Sequence, residues 1–191
     1  MRNSFLFFAL ICSLQVFGQI KYITNKEFTI QGKAFHNTPF YHRIDTNKYA
    51  NLPEKVKGLF TAPAGLYVAF KSNTSQIKLD WTTRSTYLGA NTTGIMARGL
   101  DLYIKENGKW FFAGVALPNQ QNIKSEYDIV KNLSKTEKEF MVYLPLWNEM
   151  KDLKIGIDAS LILSINRLCI KRKSWFMVLA LCKVRQQVVL E

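Results

Sequence analysis

Cysteine is nearly absent where it would matter. Of three cysteines, Cys12 lies near the start and Cys169 and Cys182 near the end, and the long stretch between them has none. A disulfide framework or a thiolate zinc site in the body is thereby excluded. The two late cysteines have no histidine beside them, so no metal and no cofactor is expected. Histidine is almost as rare. His36 and His42 both fall in residues 35–57, and nothing local holds a serine against either, as a Ser-His-Asp device requires. His42 therefore reads as a hydrogen-bonded structural residue, and Arg43 and Asp45 as a loop-fixing ion pair. Long apolar runs are missing too. The runs Phe5–Leu14 and Trp175–Leu181 fall short of the roughly twenty residues that a membrane helix needs. No internal repeat is visible. Acidic residues are the minority, 14 against 26 basic ones, for a net charge of +12. Arg2 and a cluster after Arg167 supply much of that excess. The remaining charges are interspersed, which fits a solvated surface and excludes a nucleic-acid partner.

What is present begins with a leader. Arg2, the apolar run Phe5–Leu14 and the small or tolerated residues Val16-Phe17-Gly18 form a signal peptide over residues 1–18, cleaved before Gln19. The protein is expected to be exported, periplasmic or extracellular in a bacterium. A short strand is expected from Lys26, with Phe28 and Ile30 alternating. Residues 35–57 hold Pro39 and Pro53 and read as an irregular crossing. Leu66, Val68 and Phe70, then a turn at Ser72–Ser75, then Ile77, Leu79 and Trp81, read as a hairpin. Residues 82–93 are polar and rich in glycine and threonine, so they form a loop. Loops at the ends of β-sandwiches are common binding positions, which makes Arg84, Tyr87 and Arg98 candidates. Phe140, Val142, Leu144 and Leu146, and then Leu153, Ile155 and Ile157, supply two further strands.

The strongest local signal lies between Gly99 and Pro118. Leu100, Leu102 and Ile104 alternate, Asn107-Gly108 follows, and then come Trp110, Phe111, Phe112, Ala113 and Val115. An Asn-Gly pair between alternating runs marks a two-residue type I′ hairpin. Glu106 then faces Lys109, Ile104 faces Phe111, and Leu102 faces Ala113. One face is core. The other collects Asp101, Tyr103, Lys105, Trp110 and Phe112, whose three aromatics need a cover or a ligand. Short alternating strands with polar breaks and no long helix indicate an all-β fold, an antiparallel, jelly-roll-like β-sandwich over residues 19–158.

The segment GLDLYIKENGKW, with Gly99, Asp101, Leu102 and Tyr103, resembles the GxDLY motif of the N-terminal domain of secreted bacterial SGNH (GDSL-like) hydrolases. YHRID at Tyr41–Asp45, AGLYVAFKSNTSQIKLDW at Ala64–Trp81 and VYLPLWNEMKDLKIGID at Val142–Asp158 agree with it in order. The resemblance implies a non-catalytic β-sandwich ahead of a separate catalytic domain that acts as an esterase or acylhydrolase on acylated carbohydrate. Tyr103, Trp110 and Phe112 would then dock that catalytic SGNH domain. As an alternative, the same three residues with Trp147 would form a sugar-stacking platform of a stand-alone carbohydrate-binding module.

After Asp158 the pattern changes, and residues 159–191 show neither alternation nor caps. Relatives continue at this point into a segment like VFYGTSITQG, whose serine is the nucleophile. Back-translating Trp175–Val184 and reading two bases later permits V-Y-G-T-S-I-V-Q-G, with the Val, the His-or-Tyr and the first Gly forced by the code. The expectation is an out-of-frame tail over 159–191, the frame changing between about Ala159 and Lys173. The chain as written then lacks the catalytic serine block and is inactive alone, with no catalytic residue of its own.

Overall fold

In the computed structural model the described residues are 20–35, 37–158 and 162–164. The expected signal peptide, His36 and the expected out-of-frame tail, apart from residues 162–164, lie outside them.

Among the described residues, nine strands form two antiparallel sheets. They are β1 (Lys21–Ile23), β2 (Tyr67–Ser72), β3 (Ile77–Thr83), β4 (Leu100–Glu106), β5 (Lys109–Ala116), β6 (Lys124–Val130), β7 (Lys138–Tyr143), β8 (Met150–Ile157) and β9 (Ile162–Ser164). One sheet has the order β1-β8-β3-β6 and the other β5-β4-β7-β2-β9. This is the jelly-roll arrangement of two packed sheets. Among the described residues, two short α-helices, α1 (Glu54–Thr61) and α2 (Gly94–Arg98), and one 3-10 turn, Thr46–Lys48, interrupt the connections.

The core follows from alternation. Ile77, Leu79 and Trp81 of β3 face Val68 and Phe70 of β2, Leu100 and Leu102 of β4, and Phe140 and Val142 of β7, all but fully buried. Phe70 and Phe140 stack at 5.2 Å. The Trp81 indole N–H donates to the Arg98 carbonyl at 2.9 Å, so the largest core side chain buries no unpaired donor.

The Asn107-Gly108 turn is as expected. Asn107 has φ 50° and Gly108 φ 77°, the positive values that a type I′ turn demands. Glu106 faces Lys109, Lys105 faces Trp110, and Ile104 faces Phe111. The register then slips. A bulge between Leu102 and Tyr103 sets Leu102 opposite Gly114 rather than Ala113, because the bulged strand carries one extra residue.

Three other expectations are corrected. β2 and β3 are no hairpin, because they lie in different sheets. Alternation gives each strand one apolar face and cannot tell a hairpin from an arch that crosses the core. Here the corner is held by Asp158, whose carboxylate accepts from Thr74 Oγ1 at 2.5 Å, from Ser75 N at 2.8 Å and from Ser75 Oγ. The first strand is Lys21–Ile23, upstream of Lys26. Thr24 N bonds Glu27 Oε2 at 2.9 Å and turns the chain there, leaving Phe28 buried in a loop and Gln31 in a lone bridge with Tyr67. Arg43 does not pair with Asp45. Its Nε donates to Ala62 O at 3.1 Å and its NH2 to Leu59 O, capping the carbonyl end of α1. Asp45 instead accepts from Asn47 N at 3.2 Å.

Among the described strands, β4 and β5 are the one consecutive pair that sit side by side. Every other connection passes from one sheet to the other.

Candidate functional site

The motif residues divide by face. Gly99 closes α2, and its N–H donates to Ile95 O at 2.8 Å. A Cβ at this position would lie 2.5 Å from that carbonyl oxygen and 3.1 Å from Ala116 O, so only glycine fits. Leu102 is wholly buried in the core. Asp101 and Tyr103 point the other way, onto the outer face of the five-stranded sheet.

That outer face is aromatic. Tyr67 of β2, Tyr143 of β7, Tyr103 of β4 and Phe112 of β5 form one row across four strands. Tyr67 and Tyr143 lie 5.4 Å apart at 50°, Tyr143 and Tyr103 5.6 Å apart at 77°, and Tyr103 and Phe112 5.7 Å apart at 72°. These are tilted and edge-to-face pairs, the arrangements that ring quadrupoles favour. Met141 lies beside the row at 0% exposure, with Ala69 and Tyr103 as its cross-strand neighbours. Phe112 at the edge remains 59% exposed. Burial pushes the Tyr143 hydroxyl up to about 12, with the neighbouring Tyr67 and Tyr103 adding to it, so this phenol stays neutral at physiological pH.

A charged cluster borders the row. Glu139 accepts from Lys105 at 2.9 Å and pairs with Lys71 at 3.4 Å. Burial alone would raise the Glu139 carboxyl, but the two lysines outweigh it and hold it below the usual range. Lys105 also sits 5.6 Å over the Trp110 ring, at cation–π distance. Trp110 is half-buried.

The other candidates lie elsewhere. Trp147, 58% exposed, and Tyr87, 77% exposed, belong to loops at one end of the sandwich. Asn148 pins those loops together, accepting from Ser85 N at 3.3 Å and donating to Ser85 O at 3.0 Å. Arg84 pairs with Glu149 at 3.3 Å, and Glu149 also meets His42 Nε2 at 3.2 Å and Lys151 at 2.5 Å. His42 is thus bonded, as expected of a structural histidine. Arg98 is buried and fully used, donating to Thr83 Oγ1, Asn119 O and Asn122 O. The structure therefore brings Tyr103, Trp110 and Phe112 together and sets Trp147, Arg84 and Tyr87 apart from them. It adds Tyr67, Tyr143 and Met141, which the sequence reading missed. Their signal was a large side chain at the off-core position of an alternating strand.

The row offers apolar area rimmed by hydroxyls and charge, which suits binding rather than bond making. Among the described residues no hydroxyl bonds the His42 ring, and no group of His, Cys, Asp or Glu is placed to hold a metal ion. Among the same residues, no helix is long and apolar enough to cross a membrane.

Comparison with known proteins follows the same lines. The family described as GxDLY, the N-terminus of SGNH-hydrolase-type esterases, matches residues 20–163. A crystal structure from Bacteroides ovatus, described as that of a candidate GDSL-like lipase, superposes with a TM-score of 0.69 at 42% identity. The match covers 73% of this chain and 41% of that one, so the chain spans about two fifths of that protein's length. No curated protein matches.

Proposed function

The chain belongs to the GxDLY family, the N-terminal domain of SGNH-hydrolase-type esterases, and from that premise we propose a non-catalytic role for it. It is the front sandwich of an exported esterase or acylhydrolase that works on acylated carbohydrate, and its aromatic face seats the catalytic domain. The observation that carries this reading is the Tyr67–Tyr143–Tyr103–Phe112 row on an outward sheet face. Clustered aromatics on a face with a charged rim are the composition of a protein interface core. A stand-alone sugar-binding module is the competing reading. It wants ring faces side by side and turned to solvent. Tyr103 is buried, and it meets its neighbours at 72° and 77°, which favours docking.

The leader at residues 1–18 supports export. The missing serine block has its own support in the permitted V-Y-G-T-S-I reading of the shifted frame. The change of frame falls, on this reading, between about Ala159 and Lys173. The test has two parts. The DNA from the codon of Gly156 past that of Glu191 is sequenced in all three frames. The chain and the frame-restored product are then assayed for hydrolysis of an aryl acetate. An inactive chain beside an active restored product is the expected result. Ester hydrolysis by the chain itself, or no open frame encoding the serine block, overturns the proposal.

A further inference from the structure

A sheet edge is a row of unpaired backbone groups, and proteins blunt it with short strands, charge or proline. Among the described strands, three of the four sheet edges are blunted. β1 and β9 are three residues each. β6 carries Lys124, Glu126 and Asp128, all ion-paired. The fourth edge, β5, has only the bulge at Ala113. Beyond Lys109 it reads Trp-Phe-Phe-Ala-Gly-Val-Ala, with no charge and no proline until Pro118. Its second half is partly covered, since a Cβ on Gly114 would lie 3.2 Å from Ile129 O of β6. Its first half is open, with Phe111 51% and Phe112 59% exposed. In a two-residue hairpin the closing pair exchanges both hydrogen bonds, and alternate residues then turn their N–H and C=O outward. Here Glu106 and Lys109 close the turn, so the backbone groups of Trp110 and Phe112 face away from β4.

We propose that β5 pairs antiparallel with β5 of a second copy of this chain, about a two-fold axis at Phe111. In this register Phe111 faces Phe111 of the second copy, and Trp110 faces its Phe112. Every exposed ring on the strand thus meets a ring. Lys109 faces Ala113 of the second copy, so no like charges oppose. Charge also selects this contact. Residues 20–158 carry 19 basic and 13 acidic residues, and two such bodies repel except across an uncharged strip. Residues 110–117 are such a strip. The pairing is self-complementary and closes at two, as a two-fold interface must. It joins the aromatic rows of the two copies end to end and leaves the outer faces free, so it stands apart from the docking reading above.

The test measures the mass of the full chain by light scattering or sedimentation from about 5 to about 500 µM, the range in which a small strand-pairing interface associates. The mass is expected to rise from one chain to two. Phe112→Lys is expected to weaken the dimer at least about tenfold, with a retained cooperative thermal melt and far-UV spectrum as the folding control, the midpoint lowered by the lost Tyr103 contact. Phe111→Cys, with Cys12, Cys169 and Cys182 replaced by serine, is expected to cross-link on oxidation. Facing residues of this kind have Cα atoms about 4.5 Å apart, within disulfide reach. A mass of one chain throughout overturns the proposal. So does an assembly larger than two, a dimer indifferent to Phe112→Lys, or a dimer in which Phe111→Cys fails to cross-link.

Discussion

The two outer faces of this sandwich are built on the same alternation and filled in opposite ways. On the four-stranded sheet the off-core positions are charged and paired across strands. Lys78 meets Glu126 and Lys124 meets Asp80 at 3.2 Å between β3 and β6, while Lys154 meets Asp152 at 3.9 Å along β8. On the five-stranded sheet the equivalent positions hold Tyr67, Met141, Tyr143, Tyr103 and Phe112. Exposed ion pairs contribute about 0–1 kcal/mol each and tolerate replacement. Aromatic pairs add about 0.5–1.5 kcal/mol beyond the area they bury. Water is the natural solvent of the first face. The second behaves as a small core of its own.

That contrast puts the largest loss on either outer face at Tyr103. Tyr103→Ala removes two ring contacts and a buried side chain, and about 3–4 kcal/mol of unfolding free energy should go with it. Urea denaturation measures this. Met141→Ala comes next, at about 2–4 kcal/mol, because its side chain is wholly buried. A loss below about 1 kcal/mol at both positions would make this face an ordinary surface and break the comparison.

At the seam between the sheets, Asp158 gives an intermediate effect. Burial would raise its carboxyl, but bonds from Ser75 and Thr74 outweigh that and hold it at about 2. The unfolded value is about 3.9, so the folded group is the stronger acid. Its contribution is therefore complete above about pH 4 and fades as the pH falls toward 2. Asp158→Asn should cost about 1.5–3 kcal/mol at neutral pH and flatten the acid limb of a melting-temperature profile. The smallest effect belongs to the charged face. Lys78→Ala should cost less than about 1 kcal/mol, and a thermal melt in added salt should shrink the difference further.

Much of this fold was legible because burial imposes period two. Leu79 and Trp81, Phe140 and Val142, and Leu153 and Ile155 all fall inward as alternation requires. The Asn107-Gly108 turn was legible because positive φ is a local demand. What alternation cannot encode is which strand lies beside which. The route of β2 and β3 into different sheets depends on Asp158 reaching Thr74 and Ser75 from 83 or 84 positions away. The same limit hid half of the aromatic row. Tyr103 and Phe112 are joined by a tight turn and could be paired by eye. Tyr67 and Tyr143 reach them only through the order β4-β7-β2. The helices escaped for a different reason. Gly94–Arg98 is one turn, capped by Thr93, too short to show a period.

The sheet order also has a consequence for when this protein can fold. β8 lies between β1 and β3, and Lys21–Ile23 pairs only with Ile155–Ile157 among the described strands. A chain emerging from the ribosome therefore has one local element that can close early, the β4–β5 hairpin. The centre of the four-stranded sheet arrives last. Pairing over such sequence distances is slow, because loop entropy is lost before any contact rewards it. Until Ile157 has been made, the apolar faces of β1, β3 and β6 have no completed sheet to belong to. The domain is thus held unfolded by its own topology for nearly the whole of its synthesis.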